Sequence, residues 1–179
     1  MTTTRMTRYD RSMLRLMNDP RQRELHATVA RRRLAVAAHA ALTVAIAALF
    51  GYFCLSRGEA MWSALAMAVL MLPWMVAQGV INSATRGLLE LRTRALDERQ
   101  VAERNRVLAR SYRITLCLLV LAVIGLFVVG GADGDALRTY AVSALAAVLV
   151  AHFVMPSWVA GLTAQDEPAE PAEDEAALL

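Results

Sequence analysis

Residues Ile114–Gly131 read ITLCLLVLAVIGLFVVGG, a run of 18 residues without a formal charge. Wound as a helix at 1.5 Å per residue it extends about 27 Å, close to the ~30 Å of a bilayer's hydrocarbon. Three more stretches share this character: Leu34–Leu55, Ala60–Asn82 and about Thr139–Leu162. The segments between them hold nearly all the charge. The 179-residue chain is 57% hydrophobic and 20% charged, and a soluble domain would spread its charge along the whole length. The pattern excludes an ordinary soluble enzyme and a disordered chain. It predicts an all-α polytopic membrane protein with four transmembrane helices, numbered here as spans one to four.

The connections set the pairing. Ser56-Arg57-Gly58-Glu59 and Gly131–Arg138 read as short turns that close two antiparallel hairpins. Arginine sets the orientation. Residues 1–33 carry nine Arg against three acids, and residues 83–113 carry eight against four. The two short turns together hold two Arg and three acids. Positive segments stay inside, so both termini and the 83–113 connection are expected in the cytoplasm of a multi-pass plasma membrane protein. The expected organisation is a basic segment 1–33, a membrane domain 34–162 and an acidic disordered tail 163–179 with six acids and no base. The apolar run that starts at residue 34 is too long for a signal-peptide core.

Two segments present Asp-x-Arg-Gln: Asp19-Pro20-Arg21-Gln22 and Asp97-Glu98-Arg99-Gln100. Asp is a favoured N-cap, and Gln three residues on completes a capping box. Asp19 with Gln22 and Asp97 with Gln100 are therefore read as helix caps. Helices should begin near Pro20 and Glu98 and run unbroken into spans one and three. At the same offset of 78, Val29 matches Val107 and Arg32 matches Arg110. Pro73-Trp74 and Pro156-Ser157-Trp158 mark similar exits from spans two and four. The reading is an internal duplication, two hairpins parallel in the membrane about an axis along its normal.

No Asp, Glu, Lys or Arg lies inside the four runs, which speaks against a proton-coupled pump. No metal-binding, phosphate-loop or nucleophile-elbow motif occurs, so no catalytic residue, metal site or cofactor is assigned. His39 and His152 lie in different spans. A bis-histidine haem is the remote reading, and a pair of hydrogen-bonded imidazoles the plainer one. Gln78 and Asn82 share a helix face and should bond across helices or meet the headgroups. Small-residue stripes at Ala37, Ala41 and Ala45 and at Ser143, Ala147 and Ala151 suit close helix packing, within one chain or between two. Tyr52, Trp62, Trp74 and Trp158 read as interfacial aromatics. Cys54 and Cys117 read as buried fillers at opposite membrane faces.

Gly87 should end span two, and Leu88–Leu96 should form a short surface helix. Leu88, Leu91, Ala95, Ala102 and Ala109 then make one apolar seam, flanked by Arg92, Arg99, Arg106 and Arg110. With Arg31, Arg32 and Arg33, these arginines are the expected contacts for anionic lipid, a second copy of the chain or a cytoplasmic partner. Nucleic acid is not expected, since the helices also carry acids and lack an aromatic stacking platform.

Leu96-Asp97-Glu98-Arg99-Gln100, with Ser111-Tyr112-Arg113 before span three, resembles a group of uncharacterised actinobacterial four-span membrane proteins that carry a Leu-Asp-Glu-Arg-Gln helix on the cytoplasmic side. The resemblance covers about residues 90–130. It implies the four-span architecture and no particular activity. The expected function is non-enzymatic: interaction, assembly or recruitment through the arginine-rich helices. A small transporter or channel subunit is the alternative.

Overall fold

The computed structural model describes residues 7–17, 28–56, 60–93, 96–132 and 134–164. All regular elements among them are helical. They are α1 (Arg8–Met17), α2 (Val29–Leu55), α3 (Met61–Ala84), α4 (Glu98–Ala132) and α5 (Gly134–Thr163). The last four each contain a window long and apolar enough to cross a membrane. The chain is an all-α bundle with four candidate transmembrane helices.

Local signals explain most boundaries. α4 starts at Glu98 because Asp97 and Gln100 form the expected capping box. The Gln100 amide donates to Asp97 Oδ1 at 2.6 Å, and the Asp97 amide donates to Gln100 Oε1 at 3.1 Å. From there α4 runs 35 residues without a break, about 50 Å. α2 differs from its expected counterpart. It begins at Val29, behind Thr28, whose extended backbone (φ −121°, ψ 150°) and side chain cap it by accepting from the Arg31 amide. The extended backbone of Thr28 at this N-cap is non-helical, so no unbroken helix runs from Pro20 into span one. Asp19 and Gln22 themselves lie outside the described residues.

α3 ends in a Schellman turn. The Gly87 amide donates to the Asn82 carbonyl and the Arg86 amide to that of Ser83. Arg86 (φ 51°) and Gly87 (φ 68°) both adopt the left-handed conformation, which Gly tolerates without cost. Span two thus stops at the Arg86–Gly87 pair, close to the glycine expected to end it, with Arg86 in the left-handed position that Gly more often fills. The surface helix expected over Leu88–Leu96 does not form. Residues 85–90 are successive turns, because two left-handed residues point the chain away from any helical continuation. The expected turn at Gly131–Arg138 is mostly helix: α4 reaches Ala132 and α5 starts at Gly134. Gly130 allows this tight reversal, since a Cβ there would lie 2.9 Å from Leu137 Cδ2. Pro73 and Pro156 lie inside α3 and α5 rather than at their exits. Each removes one backbone donor and frees a carbonyl one turn earlier.

The packing is lopsided. α2 packs on α3 and on α5, and α4 packs on α5. α2 and α5 form the inner pair, and α4 stands at one side with Phe127 83% exposed. A twofold axis between the hairpins would pair span two with span three as closely as one with four, and no comparable contact joins them. At offset 78 from fully buried His39 stands exposed Cys117. The matched sequences therefore do not occupy matched surroundings. The dense core gathers at the arginine-rich end, where Leu88, Val107, Met155, Val159 and Ala160 form one cluster flanked by Leu89 and Trp158. At the other end Tyr52 and Trp62 pair with ring centroids 5.5 Å apart, which suits interfacial aromatics.

Candidate functional site

The face that α4 turns to α5 is spelled by residues four apart. Val107, Ser111 and Thr115 are buried, and each hydroxyl bonds back to the carbonyl one turn earlier, Ser111 Oγ to Val107 at 2.8 Å and Thr115 Oγ1 to Ser111 at 2.9 Å. Satisfied internally, these polar groups pack at low cost. This phase corrects the expected seam: Ala102 and Ala109 are exposed, while Leu88 and Leu91 are buried beneath the turns that follow α3. Ala95 lies outside the described residues. The seam needs one helical phase from 88 to 109, and the turns at 85–90 break it.

Beside the buried face, α4 turns arginines toward the end of α5. Arg99, Arg106 and Arg110, with Glu103, Val107, Val159 and Thr163, line a cleft of about 220 Å³. Arg99, Glu103, Arg106 and Arg110 follow one another at four, three and four residues, which keeps them on one helix face. The stripe runs about 16 Å along the axis. Its floor is apolar, from Val107 and Val159, and its rim cationic. Arg106 Nε also reaches the Ala102 carbonyl at 3.4 Å, leaving its terminal amino groups for the cleft.

Arg104, Arg92 and Arg32 serve the structure. Arg104 donates to the Leu91 carbonyl at 2.9 Å and ties the post-α3 turns to α4. Arg92 does not join the stripe; its guanidinium lies 5.4 Å from the Tyr9 ring centroid of α1, a cation–π contact. Arg32 is buried, and its Nη2 donates to the Ala164 carbonyl at 3.0 Å. Arg31 and Arg33 are exposed.

A second constellation lies within the bundle. His39 is fully buried. Trp158 Nε1 donates to its Nδ1 at 2.8 Å, and the Trp74 ring lies 4.6 Å from the imidazole. Trp74 Nε1 donates to Thr43 Oγ1 at 2.9 Å, and Thr43 in turn donates to the His39 carbonyl at 2.8 Å. One turn further along α3, Gln78 Nε2 bonds both Asn82 Oδ1 and Ser157 Oγ at 3.0 Å. The expected cross-helix bond of Gln78 is present. Trp74 and Trp158 are corrected: they are half-buried helix-bridging donors, because a buried indole N–H requires an acceptor.

His39 and His152 do not converge. His152 is exposed and sits against Phe153, so neither a bis-histidine site nor an imidazole pair exists. His39 Nδ1 accepts a bond, which leaves the proton of the neutral ring on Nε2. That Nε2 and Gln78 Oε1 are buried without a hydrogen-bond partner. Among the described residues, no group of three or more His, Cys, Asp or Glu could hold a metal ion.

The small-residue stripes take little part in the packing within the chain. Ala37, Ala41 and Ala147 are exposed, and Ala45, Ser143 and Ala151 half-buried. Close approach falls instead at Gly161, where a Cβ would lie 2.8 Å from Val36 Cγ2 and 3.3 Å from Ile81 Cγ2. Ser143 is near Gly51, at 3.9 Å from where a Cβ would stand. Cys54 is half-buried and Cys117 exposed, so only the first is partly the filler expected. No protein-family model, curated protein or solved structure matches the chain.

Proposed function

We propose that the chain is a non-enzymatic multi-pass protein of the plasma membrane whose arginine-rich end faces the cytoplasm and recruits or assembles with an anionic partner. The orientation rests on the arginine excess of residues 1–33 and 83–113 over the short turns. The observation that carries the function is the division of labour among the arginines. Arg32 and Arg104 are spent on backbone carbonyls and Arg92 on Tyr9, while Arg99, Arg106 and Arg110 line an open cleft with an apolar floor. Arginines needed only to fix topology have no reason to line up on one helix face over a groove.

A photo-cross-linking amino acid at Ala102, an exposed position beside the stripe, tests this in native membranes. An adduct with a second protein or a second copy is expected, and Arg99→Gln/Arg106→Gln/Arg110→Gln should abolish it. An adduct pattern unchanged by the triple substitution would overturn the reading.

A further inference from the structure

We propose that the resident occupant of the arginine cleft is the chain's own acidic C-terminal segment, Asp166–Glu175, which a recruited partner must displace. The inference rests on the cleft being an anion-binding surface and adds what fills it.

The connection is short. Thr163, the last residue of α5, lines the cleft, and the carbonyl of the next residue is held by Arg32. The acidic segment therefore departs from the cleft's own wall. α5 runs antiparallel to α4, and with Val159 beside Val107 its last residue stands level with about Glu103. A segment leaving Thr163 thus meets Arg99 and the positive N-terminal end of α4 first, and lies along Arg106 and Arg110 by folding back. Glu167 lies four residues past Thr163, within reach of Arg99.

The spacing of charge agrees. The segment reads Asp-Glu-Pro-Ala-Glu-Pro-Ala-Glu-Asp-Glu, so Glu167, Glu170 and Glu173 recur every third residue with Pro168 and Pro171 between. Polyproline II has three residues per turn and rises 3.1 Å per residue. In that form the three carboxylates line one edge over about 19 Å. The arginines of α4 line one edge over about 16 Å, interrupted by a single carboxylate, Glu103. One phosphate could bridge Arg106 and Arg110, about 6 Å apart along the axis, but could not also reach Arg99. An extended polyanion engages all three. Arg–carboxylate pairs are strong, charge-assisted hydrogen bonds, and the six acids of the segment oppose no base of its own.

The test uses the full chain with Cys54→Ala and Cys117→Ala, spin-labelled at Ala102→Cys and Ala172→Cys, in phosphatidylcholine nanodiscs. Electron–electron distance measurement should give a short, narrow population. Glu167→Gln/Glu170→Gln/Glu173→Gln should remove most of it, as should Arg99→Gln/Arg106→Gln/Arg110→Gln. A broad distribution that neither triple substitution changes overturns the proposal. A broad distribution together with arginine-dependent retention of phosphatidylglycerol makes the occupant a lipid and also overturns it. The two readings fail separately. If the Ala102 cross-link to a partner persists while the short distance is missing, the tail proposal alone falls. If both are missing, the recruitment reading falls with it.

Discussion

The Trp158 indole donates its only hydrogen to His39 Nδ1 at 2.8 Å, joining the first and last apolar helices across 119 residues of chain. Trp74 covers the same imidazole from the third side, on α3. Three helices are thereby registered on one ring. A hydrogen bond between apolar helices is worth about 0.6–2 kcal/mol, and here it also fixes which faces meet. Trp158→Phe keeps an aromatic side chain, deletes the donor and gives up the indole's second ring. The expected result is a lower melting temperature in detergent by circular dichroism, equivalent to roughly 1 kcal/mol. Trp158→Phe indistinguishable from wild type would show that the bond adds nothing to packing.

Gly161 on α5 lies close against both α2 and α3. Adding one methyl places it 2.8 Å from Val36 Cγ2, a clash with a side chain that is itself buried. Gly161→Ala should destabilise by about 1–3 kcal/mol. Val36→Ala in the same chain vacates the clashing atoms, so the double variant should be more stable than the sum of the two single losses. Strict additivity in thermal denaturation would show that the two positions do not meet.

The capping box at the start of α4 makes a local forecast. Asp97→Ala removes the side-chain acceptor for the Gln100 amide and should cost about 1 kcal/mol. Hydrogen exchange by mass spectrometry should speed up in residues 98–102 and leave Ile114–Gly131 unaffected. Uniform acceleration along α4 would mean that its two halves melt together.

Gly87 supplies the left-handed turn that sends the chain back under α4. At φ 68° a Cβ costs roughly 1–2 kcal/mol, so Gly87→Ala should destabilise while Gly79→Ala, with nothing within 4 Å of its added methyl, should not. Equal effects of the two would remove the conformational explanation.

What the sequence made legible was local or periodic. Four uncharged runs set the number of long helices, Asp97 and Gln100 set the start of α4, and Gly87 the end of α3. The misreadings arose where one segment's phase depends on another. Thr28 and Asp19 are both capping residues, and nothing local says that a helix running toward span one begins at the nearer. The apolar seam drawn through Leu88 and Ala109 required a helix that the Arg86–Gly87 reversal prevents, so Val107, Ser111 and Thr115 were missed as the buried line of α4. Trp74 and Trp158 carried a signal in their shared Pro-x-Trp or Pro-Trp setting, but that both should meet His39 depends on helix rotation, which amphipathicity does not report in a bundle greasy on every side. Val159 and Thr163 belong to the cleft only because α5 packs beside α4.

α4 has no joint between the stretch that bears the arginines and the stretch that is wholly apolar. It is a stiff spar gripped chiefly along one flank, by α5. A tug on Arg99 meets no hinge midway, so it is passed on as a tilt or slide of the apolar half against α5. A ligand bound to the guanidinium row would thus be mechanically coupled to the opposite end of the same spar.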